Sequence, residues 1–339
     1  MNLYSTTALT AVVSNLILPQ SFFLDRFFTS VIQSTTEDIK IDIDKGKRRI
    51  SPFVSPLVQG KIVASRGFTT QTFTPAYVKD KRVFQPNRAL KRALGEAIGG
   101  VMTPAERVQL NLVNDLADQT QMLQRRQEVM AAQALTTGHV IVSGDGYDTV
   151  DVDFQRDAAL TFALTGGAKW DQAGTDPLAD IEEWALLVLK KSGATVIDVV
   201  MDPDAWTVFR SNSAVQDEVK RLATAGATPL ELGNQVKPGA RFMGSLRGMN
   251  FWVYADWYID DTGAEVPMLA SGTVVLSGPQ IEGRRYYGAI QDEAAGLQAL
   301  PYFVKSWVED DPALRLLMMQ SAPLPAPFRP DASLCATVK

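Results

Sequence analysis

The sequence predicts an α+β protein, and three stretches carry that prediction. Residues 104–137 read as one long helix. Strand texture flanks that helix on both sides. Residues 166–282 then mix helices with buried strands. A long helix beside strands in sequence is the pattern of a helix on one face of an antiparallel sheet.

Taken in order, residues 1 to about 45 carry few turn signals. The run from Ala8 to Leu18 is apolar, but Asn15 interrupts it and no positive stretch precedes it. It is too short to span a bilayer and lacks a leader's cleavage site, so it reads as an amphipathic segment that docks on something. The stretch SFFLDRFFTS sets Phe22, Phe23, Phe27 and Phe28 on one broad helical face. Such a density of rings fits an arm that packs against another surface; the first helix of an ordinary core is the alternative.

Ile50 to Phe84 alternates as two arms that turn near SRGFTT. Pro52, Pro56 and Pro75 each remove a ladder donor, and proline is confined to sheet edges and bulges. A solitary two-stranded ribbon is therefore expected. At ~3.3 Å per residue, arms of about 16 residues reach roughly 50 Å. A compact globule of this length has a radius of gyration of only ~20 Å. Because an isolated hairpin is marginal in water, a projecting ribbon needs something to cover Phe53, Leu57, Ile62, Phe68, Phe73 and Tyr77. A hairpin folded back on its own domain is the other reading.

The long helix has both ends marked. Thr103 is an N-cap, Pro104 occupies the first turn, Glu106 completes a capping box and Gly138 ends the run. Val108, Leu112, Leu116, Leu123 and Met130 form one narrow stripe, enough to pack a single sheet. At 1.5 Å per residue the rod is ~50 Å long. HVIVSGDGYDTVDVDF follows as a hairpin turning at GDG. Within 166–282, a helix runs from Asp176–Pro177 to Gly193, ATVIDVVM is a buried strand, two helices follow, and ATPLELGNQVKPGARFMG reads as loop. LPYFVKSWV and LRLLMMQSAPL form a last hairpin about the turn EDDP, and the proline-rich PLPAPFRPDASLCATVK is expected to run over the surface.

Composition narrows the chemistry. The chain is 46% hydrophobic, so a sizeable core can form, and its net charge of -5 comes without any basic stripe. Cys335 and His139 are the only residues of their kinds, which removes an internal disulfide and any Cys/His zinc site. His139 reads as structural. No phosphate loop or dinucleotide fingerprint occurs, and GDGYDTV matches a single unit of a calcium-binding repeat that works only when stacked. Asp151 and Asp153 share one strand face, geometrically able to serve metal or acid/base work, but a solvated face is the favoured reading. Glu182/Glu183, Asp260/Asp261 and Asp310/Asp311 fall in a helix's first turn or in turns, where acids serve local roles. Arg284 and Arg285 either pair with acids of a neighbour or are solvated, with solvation the favoured reading. No catalytic centre and no cofactor is predicted, and the chain reads as cytoplasmic.

Four motifs then stand together in order: FTPAYVKDK, MDPDAWTVFRS, RRYYGAIQD and WVEDDPALRLLMMQSAPL, after an opening YSTTAL with FFLDRFF. On these the chain resembles the major capsid (head) proteins of lambda-type tailed bacteriophages. The resemblance implies an α+β fold of the Hong Kong 97-type. Residues 1–47 would be an N-terminal arm and 48–86 an extended β-hairpin loop. Residues 87–165 and 283–339 would form a peripheral domain with a spine helix at 104–137, and 166–282 an axial domain.

The function implied is a virion subunit, with no membrane and no enzymatic activity. It would self-assemble as pentamers and hexamers of an icosahedral shell in the host cytoplasm. The shell would enclose double-stranded DNA without reading its sequence. A scaffolding protein, a portal and a decoration protein are the implied partners; the scaffold is expected to be separate because no long helical segment precedes the arm. Expected inter-subunit contacts are Phe22, Phe23, Phe27, Phe28, Phe53, Arg66, Phe68, Phe73, Tyr77 and Lys79. Lys237 and Arg241 would lie at the capsomer axis, and Asp310 and Asp311 at a three-fold junction. Lys61, Lys79 and Lys81 lie on the ribbon, but no self-cross-link is expected. The proline-rich end departs from the family pattern and leaves its contacts open. Two rival readings are a cellular nanocompartment shell and, from a different class, a carboxylate-dependent hydrolase using Asp151 and Asp153.

Overall fold

The computed structural model describes residues 4–16, 21–36, 38–44, 50–63, 67–73, 75, 77–94, 96–100, 102–144, 146–224, 230–237, 239–311 and 314–339. The chain opens with α1 (Thr6–Asn15), whose first turn is capped by the Ser5 hydroxyl, and α2 (Phe22–Phe27). Strands β1 (Ser30–Gln33), β2 (Ile39–Ile43), β3 (Thr69–Phe73) and β4 (Val78–Phe84) follow. The long helix α3 (Pro104–Thr136) forms as predicted. Thr103 and Glu106 make the reciprocal capping box, and Gly138 takes a positive φ just beyond the end. The predicted hairpin is β5 (His139–Gly144) with β6 (Tyr147–Asp153).

After β7 (Thr161–Ala163), α4 (Pro177–Ser192) runs between the Asp176 cap and left-handed Gly193. Next come β8 (Asp198–Met201), α5 (Pro203–Ser211), α6 (Ser213–Thr224), β9 (Leu230–Lys237), β10 (Ala240–Leu246) and β11 (Met249–Tyr254). A small hairpin, β12 (Trp257–Ile259) with β13 (Glu265–Pro267), precedes β14 (Thr273–Ser277) and β15 (Arg284–Tyr287). The chain ends with β16 (Phe303–Glu309), β17 (Leu314–Ser321), β18 (Pro323–Ala326) and β19 (Leu334–Thr337).

The largest sheet has the order β7-β19-β14-β8-β11-β10-β9. Its central strands alternate strictly between two cores, as a pleated strand buried on both faces must. Val199, Met201, Phe251, Val274 and Leu276 face α4, α5 and α6, where Trp170 stacks on Trp184 with centroids 5.6 Å apart. Val200, Trp252, Tyr254 and Val275 face the other way, toward α2 and the C-terminal half of α3. The part of α3 from Leu112 to Leu123 carries Leu112, Leu116 and Leu123 onto the sheet β16-β17-β4, with Leu9 and Val13 of α1 closing the cluster. The stripe does not serve one sheet as expected: those three leucines pack the sheet β16-β17-β4, while Met130, farther along the rod, packs in the core shared with α2 and the large sheet. A third sheet, β1-β15-β18, joins the arm to the return of the chain. Among the described residues, no helix is long and apolar enough to cross a membrane.

Five other expectations change. The ribbon's arms do not pair with each other: β3 pairs with β2, and β4 joins β17. Pro52 and Pro56 leave the ascending arm without the donors a ladder needs, and its described residues, 50–63, form no strand. The proline-rich end is core, not surface. β18 is a buried edge strand, where missing donors are tolerated, and β19 lies inside the large sheet. That sheet therefore takes in β7 and β19 from outside 166–282. The stretch read as loop before Gly244 is the hairpin β9–β10. Finally, Phe22, Phe23, Phe27 and Phe28 are each 2% exposed or less within their own chain. Rings already covered in this way leave no surface for a neighbour, so the core-helix alternative describes them.

Candidate functional site

Strands β2 and β3 form the root of an excursion. Ile43 pairs with Thr69, and the Thr70 hydroxyl donates to Asp42 at 2.6 Å. Beyond that root, every residue from Ile50 to Val63 is exposed. Phe53, Leu57 and Ile62 stand in solvent with Phe68, although the first three have the size and apolarity of core side chains. A backbone turn from Val58 N–H to the Ser55 carbonyl, at 3.0 Å, shapes the outer part.

The descending side is anchored firmly. Phe73 is half-buried against the main core. The Tyr77 hydroxyl donates to the Ala289 carbonyl and accepts from Gln291 N–H. Arg82 of β4 reaches Asp118 of the long helix at 2.5 Å, and the Gln119 amide donates to the Asp80 carbonyl at 3.1 Å. Lys79 is exposed beside the Tyr77 ring. It borders a cleft of about 910 Å³ between α3, β4 and the β12–β13 hairpin. Arg126 and Asp261 bridge these walls at 2.7 Å.

Beyond β4, Arg88 grips Asp115 with both guanidinium nitrogens, at 2.6 and 2.9 Å. Arg107 does the same to buried Glu96. Hydrogen bonds from Arg107, aided by the Ala93 N–H, hold the Glu96 carboxyl down at about 2. These pairs fasten the described residues of 86–100 to the rod, and among those residues the one regular element is a short 3₁₀ turn.

Sequence reasoning missed the residues that lock the arm. Buried Glu128 of α3 accepts from the Phe23 and Leu24 N–H groups at 2.7 and 3.0 Å, and from the Tyr254 hydroxyl at 3.2 Å. Burial raises its carboxyl pKa, and those donors oppose the rise. Arg285 donates to the Phe28 carbonyl and to Asp25, so it is not merely solvated; Arg284 lies over the Phe328 ring. One signal was available: Glu128 is the only charge between Arg126 and Gly138.

The remaining predicted residues are dispersed. Arg241 is exposed on β10 opposite Val253, and Lys237 lies on β9 opposite Ala240. Asp310 and Asp311 are exposed in the β16–β17 turn. Arg66 and the side chain of Lys237 lie outside the described residues. His139 sits 3.1 Å from Asp151 and 3.6 Å from Asp153 on the open face of the β5–β6 hairpin. Among the described residues no group of three His, Cys, Asp or Glu side chains could hold a metal ion.

A family model described as phage major capsid protein E matches residues 5–338. The chain belongs to the phage major capsid protein E family. It is 32% identical to the major capsid protein of Escherichia phage lambda, over 98% of each chain. It is 30% identical to that of Enterobacteria phage P21 over the full length of both. Among solved structures it resembles a prophage capsid protein of E. coli CFT073, with TM-score 0.76 and 23% identity over 98% of this chain and 99% of that one. It also resembles the capsid of Ralstonia phage GP4, with TM-score 0.53 and 13% identity over 96% and 93%. The fold is the α+β capsid fold of the Hong Kong 97-type. A phage major capsid protein E is a structural component of the virion, not an enzyme, which sets aside the hydrolase built on Asp151 and Asp153 and the nanocompartment reading.

Proposed function

We propose that this capsid subunit assembles as pentamers and hexamers of an icosahedral head around double-stranded DNA, and that its loop between β2 and β3 lies over a neighbouring copy. The observation that carries the reading is the unbroken exposure from Ile50 to Val63. Covering Ile50, Phe53, Leu57 and Ile62 at ~1.5–3 kcal/mol each offers a gross gain of roughly 6–12 kcal/mol per copy, before ordering costs. An anchored descending arm beside a free ascending one supports a loop that is aimed by its own subunit and finished by the next.

In this scheme residues 1–47 are the arm and 48–86 the loop. Residues 87–165 and 283–339 are the peripheral unit, and 166–282, joined by β7 and β19, are the axial unit. Arg241 and Lys237, near the β9–β10 turn, face the capsomer axis; Asp310 and Asp311 meet copies at a three-fold junction. A scaffolding protein, a portal and a decoration protein are partners in assembly, which takes place in the host cytoplasm. A net charge of -5 is consistent with a wall that encloses DNA without gripping it.

The test is sedimentation and negative-stain microscopy of the chain expressed with and without its genomic neighbours, and of a variant lacking residues 54–62. The full chain should give capsomers, sheets, tubes or shells, and the shortened one a folded subunit that does not assemble. Shells of normal form from the shortened chain would refute the loop's role.

A further inference from the structure

Large apolar side chains more than four-fifths exposed occur on only two segments among the described residues. One is the loop, with Ile50 at 88%, Phe53 at 102%, Leu57 at 96% and Ile62 at 96%. The other carries Leu94 at 82% and Ile98 at 94%, with Leu90 at 74% beside them. Single exposed leucines are ordinary, but a cluster of them marks an interaction surface. Here the cluster is also held in place. Arg88 clamps Asp115 behind Leu90, and Arg107 clamps Glu96 between Leu94 and Ile98. Glu96 in turn accepts from Ala93 N–H, and its carbonyl receives Arg92. Side-chain ion pairs thus fix a stretch whose described residues form no strand and one short helical turn, while it turns its aliphatic residues outward. A surface fixed before it is covered loses little entropy when a partner arrives.

We propose that the loop residues Phe53, Leu57 and Ile62 of one copy seat on Leu90, Leu94 and Ile98 of the next. This rests on the reading that the loop covers a neighbour, and it names where the loop lands. The occupant is a second copy because a capsid subunit meets others of its kind and because the complementary apolar strip is on the same chain. Each copy gives one strip and receives one. Such a contact is heterologous, and repeating it closes rings or extends sheets, as a shell requires. It leaves the native Cys335 untouched: that thiol is buried, and burial pushes it up to about 11.

That silent cysteine makes cross-linking readable. Chains carrying Leu57→Cys and chains carrying Leu94→Cys are assembled together and oxidised. As a control, Leu57→Cys chains are assembled with chains bearing Ile141→Cys, an exposed position on β5. At least tenfold more disulfide-linked dimer is expected from the first mixture than from the control, with none from Leu94→Cys chains alone. Equal yields, or dimers formed chiefly by Leu57→Cys with itself, would overturn the pairing. A second variant, L94S/I98S, should fold with unchanged thermal stability yet fail to assemble; normal assembly would also overturn the inference. If it assembles while F53S/L57S/I62S does not, the loop still covers a neighbour and only the landing site is wrong. If both assemble, the underlying reading falls as well.

Discussion

Arg26 and Asp198, 172 residues apart, meet at 2.5 Å between the arm helix and the centre of the seven-stranded sheet. The Trp252 indole N–H donates to the same carboxylate oxygen at 3.0 Å, and the Arg26 guanidinium lies 4.5 Å from the Trp252 ring centre. On its other side the arm helix gives its first N–H groups to Glu128 of the long helix. The arm is thus a keystone between rod and sheet, which accounts for four phenylalanines turned inward.

Removing Arg26 strands a carboxylate that is 1% exposed. Arg26→Met should cost about 3 kcal/mol, since breaking one partner of a buried pair leaves the other charge uncompensated. Adding Asp198→Asn should recover part of the loss. Thermal unfolding of the free subunit, run as a double-mutant cycle, checks this; additive losses would show that the two residues are not coupled.

Glu128 should tolerate an amide better than a hydrocarbon. Glu128→Leu leaves two buried backbone donors without their acceptor and the Tyr254 hydroxyl with Asp256 alone, at 3.3 Å, for a loss of about 2–4 kcal/mol. Glu128→Gln keeps one accepting oxygen, for the Phe23 N–H and the Tyr254 hydroxyl, and removes a charge that burial disfavours. It also turns an NH2 toward the Leu24 N–H, so its loss should be smaller than that of Glu128→Leu without vanishing. Chemical denaturation of the three proteins gives the ranking directly.

Much of this architecture was legible in the residues, and the failures have physical causes. The long helix announced both ends because Thr103, Pro104, Glu106 and Gly138 act locally, and α4 did the same through Asp176 and Gly193. Strand pairing is not local. Ile39–Ile43 claims β3 from a distance of about 30 residues, and nothing in Ile50–Phe84 records that partner. Pro323 and Pro325 signalled irregular chain, but an edge strand accepts them when its other neighbour is absent. The clustered phenylalanines read equally well as inward or outward until Trp252 and Tyr254 were brought beneath them. At the loop the composition was informative and the pairing was not: Phe53, Leu57 and Ile62 are as uncovered as their prolines implied.

Acid should act on the segment beyond β4 through Glu96. Its carboxyl is held at about 2 by Arg107 and the Ala93 N–H, below the ordinary 4.5. A depressed folded value contributes stability above 4.5, and that contribution drains away as pH falls toward 2. A carboxyl-carbon NMR titration should place Glu96 near the lower value in the native chain. In Arg107→Gln the midpoint should move toward 4.5. An unmoved midpoint would show that the ion pair does not set it.

Gly283 enters β15 where the arm leaves no room for a side chain. A Cβ there would stand 2.3 Å from the Phe27 carbonyl oxygen and 2.7 Å from the Phe28 ring, whereas a Cβ on Gly60 would meet nothing within 4 Å. Gly283→Ala should cost roughly 1–3 kcal/mol through forced displacement of the arm. Gly60→Ala should stay within about 1 kcal/mol of the parent in either direction. Melting temperatures of the two single variants separate the cases.

The most direct test is hydroxyl-radical footprinting of the free subunit and of assembled particles, read at Phe53, Leu57 and Ile62. Covering by a neighbour predicts that oxidation of all three falls at least several-fold on assembly, while exposed Trp257, on the β12–β13 hairpin, serves as an internal reference. Equal oxidation of the loop residues in both states would mean that they stay in water in the finished shell, and the account would be wrong at its centre.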